Sequence, residues 1–402
     1  MRLILDAHLD LAWNALSFDR DQTLPVDLLR AREAGMTGPG RGRCTTSLPA
    51  MRRAGVGICL ATILARALPA SMPTDGLSAD GPPAAGQFAE SHVGQRKRGA
   101  IIVREDLDFA NQTICCAAAQ GQMAYYRMLE YDGEAKLIRT SAEFSASVTA
   151  WQEWLRFRGP DADAAPALPP PVGMILSMEG ADPIRAPREA ARWFDNGLRT
   201  ACLAHYGPSA YAMGTGGDGP LTAAGRELVR EFDRLGILLD LVHTGDRAVD
   251  EALDLYARPV FVSHGNCRAL VPHDRQMSDA HIRAVAARGG VVGVVLDAWM
   301  IDPDFRRGQQ REANPTLEHL ARHIDHICQL TGDVRHVGIG SDLDGGFGNE
   351  QTPVEVLSIE DLPRLGEALR AKGYGDEAID AIFHGNFVRF FQQNLPGAEA
   401  RP

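Results

Sequence analysis

The sequence predicts an α/β fold of the (β/α)8 TIM-barrel type, and two observations predict it. Eight short apolar runs alternate with amphipathic stretches, and polar residues gather at the C-terminal ends of six of the runs. The runs lie at residues 3–6, 56–64, 172–177, 200–204, 237–242, 259–263, 291–296 and 336–341. Most are apolar throughout rather than alternating, as strands covered on both faces are. Helix-like segments such as 222–235 and 317–330 separate them. A doubly wound open sheet has the same periodicity. The polar strand ends favour the barrel, whose chemistry sits at that rim.

One interval breaks the spacing, between the second and third strands. Residues 67–99, rich in Ala, Pro, Gly and Ser, read as an excursion inserted there. Helices are expected at 107–130 and 142–156, then a proline-rich connection at 161–171. Residues 1–395 thus read as a single barrel domain and 396–402 as a frayed tail.

Composition narrows the function. The 402 residues are 45% hydrophobic and 23% charged, ordinary values for a folded soluble protein. A net charge of −11 argues against nucleic acid as a partner, because no basic surplus exists to neutralise phosphates. Seven cysteines, an odd number without a CxxC pair, read as reduced thiols. The opening MRLILDAHLD has too short an apolar stretch for a signal peptide, and no run approaches a membrane span. The expected compartment is the cytoplasm, with no membrane partner.

The strand ends carry the chemistry. His8 and Asp10 follow the first strand at a spacing of two, so both can reach one metal ion. Glu179 ends the third strand beside Gly180, and its two oxygens can bridge two divalent cations. Taken alone, Glu179 reads as a salt-bridged rim carboxylate. His243 and His264 terminate the fifth and sixth strands and can share one ion, for which neutral imidazole suits zinc. Asp342 ends the eighth strand, across the mouth, suitably placed to accept a proton from a metal-activated water. Its rival Asp344 sits among glycines and reads as a turn residue. His205 closes the fourth strand and can donate a hydrogen bond to a developing oxyanion. Arg275, in the loop after the sixth strand, can grip a substrate carboxylate, although 41 basic residues compete for that role.

Three features are set aside. His319, His323 and His326 fall on one face of a helix and read as packing or surface residues. Residues 214–219 (GTGGDG) lack the Lys-Ser/Thr of a phosphate loop and read as a plain loop. Cys267 lacks the surroundings of an activated thiolate.

The ordered set of His8-x-Asp10, Glu179-Gly180, His243, His264 and Gly-x-Gly-x-Asp342-x-Asp344-Gly resembles the renal (membrane) dipeptidase family, peptidase family M19, of the amidohydrolase superfamily. GPLTAAGRELVREFDRLGILLDLVHTG, PVFVSHGNCRAL and HGNFVRFF extend the likeness over nearly the whole chain, the 67–99 excursion and the tail excepted. The resemblance implies a commonly dimeric (β/α)8 barrel, so a homodimer is a candidate assembly. It implies two zinc ions, one on His8, Asp10 and Glu179, the other on Glu179, His243 and His264. Asp342 would be the proton shuttle, His205 the carbonyl or oxyanion partner, and Arg275 the anchor of the substrate's terminal carboxylate.

The implied reaction is dipeptide hydrolysis by a hydroxide bridging the two ions, often with a D-residue tolerated at the C-terminal position. Ala7 replaces the family's usual glycine before the first histidine. Tyr-Gly-Pro-Ser after His205 and LDAWM at 296–300 depart from its substrate-pocket residues. The alternative substrates are N-acyl amino acids, lactams and cyclic amides, and the non-enzymatic alternative is a binding or scaffold barrel.

Overall fold

The computed structural model describes residues 1–38, 40–68, 95–98, 101–104, 106–157 and 168–397. Most of the expected excursion lies outside these residues, as do 161–167 of the proline-rich connection and 398–402 of the tail. The strands that position the site are β1 (Ile4–Leu9), β2 (Val56–Leu64), β3 (Ala135–Leu137) and β4 (Val172–Glu179). They continue with β5 (Leu198–Ala201), β6 (Leu238–Leu239), β7 (Val292–Val294) and β8 (Val337–Ile339). Every residue of β1, β2 and β4 is buried, which explains why they are mostly apolar and why their few charged residues, Asp6, His8 and Glu179, need partners.

These strands form a curled parallel sheet in the order β6–β5–β4–β2–β1–β8–β7, with β3 beside β4 off this path. Two isolated parallel bridges, Asp240 to Phe261 and Val262 to Val292, link the two ends of the path. Residues 259–263, expected as a regular strand, supply only these bridges. The reason is local: Ser263 N donates to the Asp240 carboxylate rather than to a neighbouring carbonyl, which interrupts the ladder. Strand β3 was not expected. Three residues between two long helices are too few for a periodicity to register.

Six helices matter below: α1 (Leu11–Phe18), α2 (Gln112–Tyr131), α3 (Ser141–Arg156), α4 (Ala223–Leu235), α5 (Leu317–Thr331) and α6 (Asn386–Asn394). Helix α2 begins five residues later than the expected 107, because Asp108–Phe109 pairs in parallel with Arg66–Ala67. Asn111 then caps it by accepting from Thr113 N and Ile114 N. A Thr140/Glu143 capping box starts α3, and Thr222 caps α4 at the expected boundary. Left-handed Gly236 and Gly332 end α4 and α5. The buried rings of Phe387, Phe390 and Phe391 on α6 cluster on Phe261, packing the last helix against the bridged segment. Among the described residues, no helix is long and apolar enough to cross a membrane.

Two buried carboxylates tie neighbouring segments at the C-terminal rim. Asp6 Oδ1 accepts from Ser341 N (2.8 Å) and His8 N (3.2 Å), and its Oδ2 accepts from the Ser341 hydroxyl. Asp240 Oδ1 accepts from Val242 N (3.1 Å) and Ser263 N (3.0 Å). Segments also approach closely here, since a Cβ on Gly340 would stand 1.8 Å from the Ser263 carbonyl oxygen. Gly340→Ala should therefore lower the unfolding free energy by about 1–3 kcal/mol or more through overpacking. Gly121→Ala, in open space on α2, should raise it by about 0.5–1 kcal/mol. Urea unfolding of the two variants checks both signs.

Candidate metal centre

The rim residues converge because the chain leaves each strand abruptly. Glu179 is the last residue of β4, and Gly180 (φ 82°) turns the backbone away at once. His243, Asp342 and Asp344 adopt left-handed φ values of 59°, 57° and 67°. Non-glycine residues hold this conformation at a cost of about 1 kcal/mol or more each, when the surroundings enforce it. Around Asp342 that enforcement comes from Gly345 N on its carbonyl and from Ser341, itself fixed by Asp6.

The side chains form two groups around Glu179. Its Oε1 lies 3.1 Å from His243 Nε2, 3.5 Å from His264 Nε2 and 3.6 Å from His205 Nε2. Its Oε2 lies 3.6 Å from His8 Nε2. His8 Nε2 is also 3.6 Å from Asp10 Oδ2 and from Asp342 Oδ1. At 3.6 Å these are not hydrogen bonds. They match the spacing of donors about 2.0–2.2 Å from a common tetrahedral ion, which stand roughly 3.3–3.6 Å apart. His8 Nε2 and Asp10 Oδ1 are buried without any hydrogen-bond partner, as donors awaiting a cation would be. Three overlapping donor groups result: His8, Asp10 and Glu179; Glu179, His243 and His264; and His8, His264 and Asp342. The residues present fit divalent metal.

The profile of the family described as membrane dipeptidase, peptidase family M19, matches residues 161–399 of this chain. The chain belongs to that family. An uncharacterized dipeptidase of Schizosaccharomyces pombe is 34% identical over 232 residues, 55% of this chain and 53% of that protein. The chain spans about half the length of the first curated relatives it matches (53%, 59% and 50%). Among solved structures, an M19 dipeptidase shares the fold with a TM-score of 0.72 at 24% identity, covering 99% of each chain. A metallopeptidase from Rhodobacter sphaeroides, solved with a phosphinate mimic of the dipeptide L-Ala-D-Ala, also gives 0.72 at 23% identity. It covers 98% of this chain and 99% of its own. His8 and Asp10 lie outside the matched stretch of this M19 chain, so their convergence with Glu179 is a finding of the geometry.

Electrostatics in the M19 centre follow from burial. Desolvation pushes Glu179 up to about 8 against the opposing charge of His8, and Asp10 adds to the rise. Burial drags His8 down, yet the charges of Glu179, Asp10 and Asp342 outweigh it and raise it to about 10. Asp342 is held well above the ordinary carboxylate range, chiefly by burial. Burial likewise holds His205, His243 and His264 neutral; the nearest further causes are the charges of Arg66, Arg275 and His8 respectively. Crowded carboxylates beside neutral imidazoles suit a divalent cation.

The remaining expectations divide plainly. Arg275 is buried, its Nη1 donates to His264 O at 3.2 Å, and among the described residues it has no carboxylate partner. Asp344 faces away, accepting from Thr45 N (2.7 Å) and Thr46 N (3.0 Å), with Arg20 3.7 Å off. His323 accepts from Cys267 N and meets Ile301 O, His326 meets Asp279, and His319 meets Thr316. The Cys267 thiol points to His323 O, and burial raises its pKa.

Several residues at the site were missed by sequence reasoning. Ser263 Oγ sits 3.0 Å from His264 Nδ1 and Thr215 Oγ1 3.0 Å from His243 Nδ1, while Arg66 Nη1 meets His205 Nδ1 at 3.4 Å. Asp6 and Ser263, adjacent to expected ligands, carried a usable signal. Thr215 lay in the dismissed glycine-rich loop and Arg66 among the many basic residues, with no signal for either.

Buried Asp182 knits the loops around the mouth, accepting from Ala67 N (3.1 Å) and Ala210 N (3.0 Å). Burial raises its pKa to about 6 against these hydrogen bonds. The native state therefore binds a proton that the unfolded chain has already released. Stability from this group is fully present below about pH 4 and is lost as pH rises through 6, on the order of 2–3 kcal/mol. Urea unfolding at pH 4.5 and 7.5 should show that Asp182→Asn removes this share of the pH dependence.

Proposed function

We propose that the chain is a binuclear zinc dipeptidase, with residues 1–395 as one closed (β/α)8 barrel acting in the cytoplasm. The observation that carries this reading is Glu179, whose two oxygens face different donor sets within one buried cluster. His8, Asp10 and Glu179 would hold one ion, and Glu179, His243 and His264 the other. When bound, such a pair polarises a carbonyl and makes hydroxide available near neutral pH.

The chain's own residues supply the rest. Asp342, with 13% of its side chain exposed and Oδ1 beside His8, can take a proton at the mouth and return it to the leaving amine. His205, 10% exposed, aims Nε2 at the same space and donates to the carbonyl oxygen as charge develops. Arg275, buried without a carboxylate, anchors the substrate's C-terminal carboxylate. Dipeptides with a C-terminal D-residue are the favoured substrates, in line with the L-Ala-D-Ala mimic held by the Rhodobacter sphaeroides protein.

Asp342→Asn should lower kcat by about 10²–10⁴-fold with metal content unchanged; turnover near wild type, with metal analysed in parallel, would sink the shuttle role. Arg275→Met should raise KM about 10–100-fold for free dipeptides and change it little for their C-terminal amides. Chelation should abolish hydrolysis and lower the melting temperature, and added zinc should restore both. A panel of L,L- and L,D-dipeptides, N-acyl amino acids and lactams tests the substrate class. Activity confined to the last two would replace the dipeptide reading.

A further inference from the structure

Four imidazoles place Nε2 within 3.1–3.6 Å of the Glu179 carboxylate, and what touches Nδ1 decides what each Nε2 can do. A neutral imidazole carries one proton, so a group that receives hydrogen from Nδ1 leaves a lone pair on Nε2 for a metal. A group that gives hydrogen to Nδ1 puts the proton on Nε2 instead.

The partners of His243 and His264 are hydroxyls, which can give or receive hydrogen. Thr215 Oγ1 lies 3.0 Å from His243 Nδ1 and 3.5 Å from His243 O. Ser263 Oγ lies 3.0 Å from His264 Nδ1. Either hydroxyl can receive Nδ1–H, which leaves on Nε2 the lone pair that a metal ligand needs.

His205 has no such freedom. Its Nδ1 faces Arg66 Nη1 at 3.4 Å, and a guanidinium can only donate. The arginine cannot turn aside. Asp108 accepts its Nε and Nη2 at 2.6 Å each, and Nη1 also donates to Tyr206 O at 3.3 Å. Asp108, 4% exposed at the side chain, is fixed in turn by Arg104 N at 2.6 Å and by the ladder between Arg66–Ala67 and Asp108–Phe109. A proton on His205 Nδ1 would set two donors face to face.

We propose that Arg66 is a positioning residue that fixes His205 as the Nε2–H tautomer, which bars it from the metal-ligand set and leaves it a hydrogen-bond donor. This explains from one contact why a fourth histidine, 3.6 Å from Glu179 where the others stand at 3.1–3.6 Å, acts as a donor rather than a ligand. Only the identity of the acceptor, the substrate carbonyl, rests on the dipeptidase reading.

The test is long-range ¹H–¹⁵N correlation on metal-loaded protein labelled at histidine nitrogen, with the His205 signals assigned by their loss in His205→Gln. The expected wild-type pattern has hydrogen on Nε2 and none on Nδ1. Arg66→Met should shift His205 to mixed or reversed tautomers and lower kcat about tenfold or more, with KM altered less than about threefold. Arg66→Lys, still only a donor, should keep the wild-type pattern and recover most of kcat. Because Arg66→Met strands a buried carboxylate, Arg66→Met/Asp108→Asn serves as the second variant, with circular dichroism confirming the fold of each. Hydrogen on Nδ1 in the wild type, or an unchanged Nε2–H pattern in both folded variants, overturns the proposal. A shifted tautomer with unchanged kcat upholds Arg66 and removes instead the reading of His205 as the carbonyl partner.

Discussion

Two buried carboxylates, Asp6 and Asp240, set the geometry on which everything at the rim depends. Burial raises the pKa of each, and backbone amides, with the Ser341 hydroxyl at Asp6, offset that penalty. Asp6 spans the chain from β1 to the residue before Asp342, and Asp240 spans from the end of β6 to the residue before His264. Each thus orders two neighbouring strand ends at once. The left-handed conformation at Asp342 persists because this scaffold over-determines it.

The next layer is a division of labour among donors and acceptors. Carboxylates crowd at the centre, hydroxyls and one guanidinium stand behind the imidazoles, and buried Arg275 supplies positive charge without neutralising any single acid. Low effective dielectric makes each such contact strong, and it makes an unmatched group costly. Within the cluster, His8 Nε2 and Asp10 Oδ1 are without a hydrogen-bond partner among the described residues, and they lie at the centre rather than at its edge.

Much of the strand framework was legible because buried parallel strands read as apolar runs, and the rim residues because polarity changes sharply where those runs end. β2 was legible in full for that reason. The bridged segment at 259–263 was misread as a regular strand, since a side-chain acceptor breaking a ladder leaves no trace in hydropathy. The start of α2 was misread because Asp108–Phe109 is claimed by a non-local pairing with Arg66–Ala67. Partners such as Arg66 and Thr215 are legible only in space. Their sequence neighbours say nothing of which imidazole they meet.

One topological fact bears on how the molecule is made. β1 pairs with both β2 and β8, and the Asp6–Ser341 contact joins residues 335 positions apart. Asp342 and the strand that neighbours them follow His8 and Asp10 by more than 320 residues of chain. The full cluster cannot form before residue 342 has been made, and its completion depends on slow, long-range closure. Cations met before that point find isolated ligands rather than a cage, so the centre matures only once its latest residue has been made.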